Sequence, residues 1–224
     1  MKIVVFAPHP DDELVGAGGS ILKWQEEGHK IHICYVSDGR AAYTFERKTG
    51  RLIESKETQI SEDDLAEIRM REIDEVIEFL GLPQENIHKF GLPDQNVKNR
   101  IELGVEKTKP IIIDADRIVL PSNHNSHEDH QATFDIVMDA AQDLSLEKTE
   151  FYIYALYVVN KAPKEKQKKM KIKDYRGKVR KALMLYKSQR FIKPVRSYYD
   201  AIKYKRVERF GVFKLSDLGE YENF

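Results

Sequence analysis

The chain of 224 residues balances 37 lysines and arginines against 37 aspartates and glutamates, so its formal charge at pH 7 is zero, and 41% of it is hydrophobic. That composition describes an ordinary globular protein with enough length for one full core, and it excludes a disordered or highly charged chain. No apolar run approaches the roughly 20 residues of a membrane-crossing helix, the lone Cys34 excludes an internal disulfide, and the first residues lack the length and cleavage site of a signal peptide; a cytoplasmic protein is expected.

Residues 2–7 (KIVVFA) are β-branched and apolar, the pattern of a buried strand, and run straight into Pro8-His9-Pro10-Asp11-Asp12-Glu13. A small-residue turn, Gly16-Ala17-Gly18-Gly19, lets a helix bearing Ile21, Leu22 and Trp24 begin close to the strand end. Gly28 stops that helix, and residues 30–36 supply a second strand. This β-α-β opening predicts an α/β, Rossmann-like fold, a mostly parallel sheet with helices on both faces. Residues 39–60 are polar with little periodicity, which suits a lid or binding loop. Ser61 caps a helix, with Asp64 three residues on; Leu65, Ile68, Ile73, Val76, Ile77 and Leu80 form one face, and Gly81 and Pro83 end it. Residues 86–90 and 116–120 read as strands and 126–141 as a helix, while the alternation of Phe151, Ile153, Ala155 and Tyr157 predicts another strand. From 160 to 210 the chain holds 19 Lys or Arg against four Asp or Glu. A solvated face is the plainer reading of that block, and an anionic ligand or partner the secondary one. No repeat or boundary divides residues 1–224, so a single domain is expected.

The chemistry concentrates in two places. Zinc takes imidazole nitrogens and carboxylate oxygens, and a catalytic zinc needs three protein ligands plus water. His9 and Asp12 offer two ligands at the carboxyl end of the first strand, where open α/β sheets place their sites. Ser126-His127-Glu128-Asp129-His130 also follows an apolar strand and opens a helix, so a third ligand can come from there. His127 and His130 lie one turn apart on one face, leaving one for metal and one for substrate. Taken singly, a histidine near a helix start is commonly a surface residue and an Asp-Asp pair commonly a cap. Together, holding three of the seven histidines at matching strand ends, they predict a metal site. His29, His32 and His88 lack such partners and read as structural, Cys34 reads as core, and His124 stays open.

His9-Pro10-Asp11-Asp12-Glu13 with the distant His127-Glu128-Asp129-His130 resembles the PIG-L/LmbE-like zinc-dependent N-acetylglucosaminyl deacetylase family. Arg69-Met70-Arg71-Glu72 resembles its Arg-x-x-Glu helix, Gly91-Leu92-Pro93-Asp94 its Leu-Pro-Asp turn, and Lys187-Ser188-Gln189 its late His-x-Ser-Gln segment, with Tyr186 standing where that segment usually has histidine. The resemblance spans most of the chain and implies an N-acetyl amino-sugar substrate and zinc held by His9, Asp12 and His130, a ligand set that also accepts Fe2+. It implies Asp11 as the general base for zinc-activated water, and zinc with His127, as an imidazolium, as the holders of the oxyanion; Asp11 or His127 then protonates the departing amine. Arg69 and Asp94 would position sugar hydroxyls; the plainer readings are an exposed helix ion pair and a turn residue. Relatives that assemble as trimers or hexamers imply a homo-oligomer, and no nucleic acid partner or membrane span is expected.

Two other readings compete. One is an amidase acting on thiol-sugar conjugates, which the same residues would serve. The other is a non-catalytic Rossmann-like domain for a nucleotide or sugar phosphate, using the glycines at 16–19. Those glycines lack the G-x-G-x-x-G spacing, and no Lys-Ser/Thr follows them as in a P-loop.

Overall fold

Strand β1 (Lys2–Ala7) is buried along its length, with Ile3, Val5 and Ala7 in one apolar core and Val4 and Phe6 in another on the opposite face. That two-residue alternation is what a strand sandwiched between helices requires. The computed structural model describes residues 1–219. Its other strands are β2 (Lys30–Ser37), β3 (Ile87–Leu92), β4 (Arg117–Pro121), β5 (Glu150–Tyr154), β6 (Gln167–Lys171) and β7 (Val207–Phe213). They form one sheet of order β3-β2-β1-β4-β5-β7-β6. The first five pair in parallel, and β7 runs antiparallel to both β5 and β6. The order reverses between β1 and β4, which opens a crevice beyond the carboxyl ends of those two strands.

The helices are α1 (Asp12–Glu26), α2 (Ala42–Lys48), α3 (Glu62–Leu80), α4 (Ile101–Ile112), α5 (Glu128–Asp143), α6 (Arg176–Leu183) and α7 (Lys193–Ala201). Leu14 of α1, Ile73 of α3, Val179 of α6 and Tyr199 of α7 pack on one face of the sheet. Val105 of α4 and Ile136 of α5 pack on the other. This is the mostly parallel sheet covered on both faces that the sequence predicts. Helix α3 begins as expected: the Asp64 backbone N–H donates to Ser61 Oγ at 3.1 Å, the Ser61 N–H donates to Asp64 Oδ2 at 3.3 Å, and Gly81 ends the helix at φ 74°.

Four features depart from the sequence reading or extend it. Gly16 to Gly19 make no turn, because α1 already starts at Asp12 and the glycines lie inside it. Their small size serves packing instead: a Cβ on Gly16 would lie 2.6 Å from Tyr154 Cδ2, and one on Gly19 2.5 Å from Ile172 Cβ. Helix α4 carries no expectation from the sequence, yet Val105, Thr108 and Ile112 bury one stripe, and Pro110 falls in its last turn. Residues 39–60 are not wholly irregular. They contain α2, and Leu52 bridges to Ile192, so that Tyr43, Leu52, Leu65 and Ile192 form a small separate cluster. Within the lysine-rich stretch lies β6, whose Lys168, Lys169 and Lys171 are exposed while Ile172 after it is buried. Lysines suit an edge strand, whose unpaired backbone they keep from pairing with other chains.

Candidate metal centre and active-site pocket

At the end of β1 the chain turns through Pro8, His9 and Pro10 and enters α1 at Asp12. Asp11 holds the junction at φ 113°, ψ −25°, a region that a residue bearing a side chain enters only under strain. Its backbone N–H donates to Glu13 Oε2 at 3.1 Å, and its carbonyl accepts from Leu14 and Val15 N–H, both at 3.0 Å. Asp12, in the first turn of α1, sits where the helix dipole favours an anion. Its Oδ2 accepts the His9 backbone N–H at 3.0 Å and lies 3.0 Å from His9 Nδ1 and 3.3 Å from His130 Nε2. His130 arrives from the far side of the crevice on the first turn of α5, for which His127 is the N-cap.

One ligand atom each from His9, Asp12 and His130 lies within 4.8 Å of the others, and the same holds for a second group formed by His9, Asp94, His127 and Asp129. His9 joins the two groups. Its Nδ1 faces Asp12, while its Nε2 lies 3.2 Å from Asp94 Oδ1 and 3.3 Å from Asp129 Oδ2. A histidine that turns one nitrogen to an ion and the other to a carboxylate is fixed in orientation and made more basic. Two imidazoles and a carboxylate converging from two strand ends are the donor set of a divalent metal centre.

Burial and crowding set the charges. Burial pulls the His9 pKa down, but Asp94, Asp12 and Asp129 outweigh it and hold the imidazole well above its ordinary value. Burial pushes Asp12 up, and His130 and His9 outweigh it, so this carboxylate titrates below the usual range. Asp11 faces the Arg69 guanidinium, with Nη2 3.6 Å from its Oδ1, but not the two imidazoles that hold Asp12. Burial and the neighbouring Asp12 raise its pKa against the pull of Arg69 and Tyr199. Burial, together with His9 and His130, lowers the pKa of His127. Its Nδ1 accepts the Asp129 backbone N–H at 3.3 Å, which leaves the proton on Nε2.

Arg69 is not an exposed helix ion pair. It is 2% exposed, its Nη1 and Nη2 donate to the carbonyls of Gly39 and Pro10 at 3.1 and 2.6 Å, and Nη2 lies 3.6 Å from Asp11 Oδ1. Gly39 at φ 68° admits this approach, since a Cβ there would collide with the guanidinium. Asp94 is likewise buried, with its Oδ2 accepting the Ala41 N–H at 3.2 Å. His9, Asp11, Asp12, Arg69, Asp94, His127 and His130 all line one open pocket of about 640 Å3. Ala42, Phe45 and Glu46 add a wall from residues 39–60, and Tyr157, Gln189, Ile192 and Val195 add another from the C-terminal third.

Sequence reasoning missed several residues here. Asn125 accepts the His127 N–H at 2.9 Å and ties the loop to the Leu156 carbonyl at 3.0 Å. Asp129 takes the Gln95 N–H at 2.6 Å and so anchors the turn after Asp94. Glu72, three residues after Arg69, accepts Ser188 N–H and Oγ–H at 2.7 and 2.6 Å, holding the segment that carries Gln189. Tyr186 is fully buried and donates to Glu13 Oε1 at 2.7 Å. Asp129, Glu72 and Tyr186 carried a signal, as parts of quoted motifs, and Asn125 carried none.

The family profile "PIG-L: GlcNAc-PI de-N-acetylase" matches residues 4–141. The chain is similar to Diacetylchitobiose deacetylase of Thermococcus kodakarensis, with 28% identity over 134 residues, 58% of this chain and 45% of that protein. The curated relatives it matches align over less than half of their own length. Among solved structures, N,N'-diacetylchitobiose deacetylase from Pyrococcus horikoshii has a TM-score of 0.73 at 20% identity, covering 97% of this chain and 85% of its own. GalB, the 4-carboxy-2-hydroxymuconate hydratase of Pseudomonas putida KT2440, has a TM-score of 0.64 at 15% identity, covering 94% of each chain. At such identities the structural likeness speaks for the fold, and one fold carries both a deacetylase and a hydratase.

Proposed function

This chain belongs to the PIG-L family of GlcNAc-PI de-N-acetylases, and from that premise we propose that it hydrolyses the acetamide of an N-acetylglucosamine-type sugar or its conjugate, using zinc held by His9, Asp12 and His130. The convergence of these three side chains from two strand ends carries the reading. It is the arrangement that metal-assisted hydrolysis needs, and a domain that merely binds a nucleotide has no use for it. The glycines that a nucleotide site would require are instead filled by Tyr154 and Ile172.

When bound, zinc supplies Lewis acidity that polarises a carbonyl and makes water more acidic. Asp11 lines the pocket beside the three ligands without belonging to either ligand group. Its raised pKa suits a carboxylate that takes a proton from attacking water, keeps it, and passes it to the departing amine nitrogen. His127, which lines the pocket and whose Nδ1 accepts the Asp129 N–H, donates from Nε2 to the developing oxyanion. Arg69 and Asp94, both in the pocket lining, hold the sugar hydroxyls. The cytoplasm is the proposed compartment. No helix among the described residues is long and apolar enough to cross a membrane.

The test is a screen of N-acetylated sugars against zinc-loaded protein, with acetate release as the readout and Asp11→Ala as the control. Release that a chelator abolishes and added zinc restores supports the reading. Activity that survives both the chelator and Asp11→Ala overturns it.

A further inference from the structure

The profile match ends at residue 141, yet a side chain from far beyond it touches the acid–base group. Tyr199, on α7, is 1% exposed, and its hydroxyl donates to Asp11 Oδ2 at 2.6 Å. Tyr199 is not among the side chains that line the pocket, so it reaches substrate only through Asp11. We propose that Tyr199 is the positioning residue for Asp11, pinning one carboxylate oxygen so that the other is presented to the reacting water; this rests on reading Asp11 as the general base.

The geometry of Asp11 explains why a pin is needed. Its backbone is held in the left-handed region, with Glu13 Oε2 taking the N–H. Arg69 cannot set the carboxylate orientation alone. Its Nη1 and Nη2 donate to the Gly39 and Pro10 carbonyls, and Nη2 lies 3.6 Å from Oδ1, beyond hydrogen-bond distance. The phenol makes the short, charge-assisted bond, and the core cluster that holds Tyr199 fixes its position. Oδ2 is thus engaged as an acceptor, and Oδ1 is left for the proton in transit.

Tyr199→Phe removes only the hydroxyl. With N,N'-diacetylchitobiose as the probe, kcat falls about ten- to a hundredfold, the span of a hydrogen bond to a charged group. KM stays within about twofold and bound zinc per chain is unchanged, because neither substrate nor metal contacts are touched. In an Asp11→Asn background the same substitution changes kcat by less than about twofold, since a residue acting through Asp11 has nothing left to act through. A wild-type kcat in Tyr199→Phe, or an equal loss in both backgrounds, overturns the proposal. Metal-free crystals of wild type and Tyr199→Phe give a measure independent of turnover: the Asp11 carboxylate rotates in the variant, and an unchanged orientation overturns the proposal. A wild-type protein that releases no acetate from acetylated sugars counts against the deacetylase reading, while the crystal comparison still decides the role of Tyr199.

Discussion

Replacing Gly16 with alanine separates two opposed effects whose sizes the structure decides. Alanine in a helix interior is favoured over glycine by about 1 kcal/mol, so propensity alone expects stabilisation. The added Cβ, however, would lie 2.6, 2.8 and 2.9 Å from three ring carbons of Tyr154. That ring cannot swing aside, because it is 1% exposed and its hydroxyl is tied to the Phe6 carbonyl at 2.8 Å. Overpacking of a fixed neighbour costs about 1–3 kcal/mol, and three overlaps against a tethered ring belong at the upper end. The net expectation is a loss of about 2 kcal/mol, read as a lower urea midpoint at unchanged m-value. Because the shift displaces the helix that bears Asp12, weaker zinc binding accompanies it. Gly177→Ala in α6 is the internal control: nothing lies within 4 Å of its Cβ, so it stabilises by about 0.5–1 kcal/mol through propensity. A Gly16→Ala protein as stable as wild type would refute the packing argument.

Three further outcomes follow from the geometry. His130→Ala removes one of three convergent donors, and bound zinc per chain, measured after dialysis, falls to near zero; retention of a full equivalent contradicts the ligand assignment. The stacked His32–His88 pair, 3.1 Å apart between Nδ1 and Nε2, gives a pH dependence of stability. Burial, with Lys2, His88 and Lys30 nearby and only partly offset by Asp114, pushes His32 down to about 4. The unfolded chain therefore binds a proton below about 6.5 that the folded chain refuses until about 4, so stability is complete above that window and declines as pH falls through it. His32→Gln lessens the decline between pH 7 and 5 in denaturant titrations, and an unaltered slope rejects the assignment. Ser188→Ala deprives the buried Glu72 carboxylate of its 2.6 Å hydroxyl donor and costs about 1–3 kcal/mol, with a rise in KM as Gln189 loosens; unchanged values for both contradict the link.

How much of this was legible in the sequence depended on whether the signal was local. The β1 strand, the α3 cap and the two histidine clusters could be read because periodicity, capping chemistry and ligand type act over a few residues. The crevice followed from strand topology, and so placed His9 opposite His130. Gly16 misled because glycine marks both a turn and a close approach, and only the position of Tyr154 tells them apart. Tyr199 and Asn125 were invisible, since a lone tyrosine or asparagine carries no pattern and each acquires its role from a partner elsewhere in the chain.

Strand β6 pairs only with β7 among the described residues, and β7 begins at Val207, well after β6 ends at Lys171. During synthesis, β6 therefore leaves the ribosome before the strand it pairs with has been made. Exposed lysines on a waiting segment repel copies of it on neighbouring nascent chains. The same lysines that guard the edge of the finished sheet thus also suit a strand that is made long before its partner.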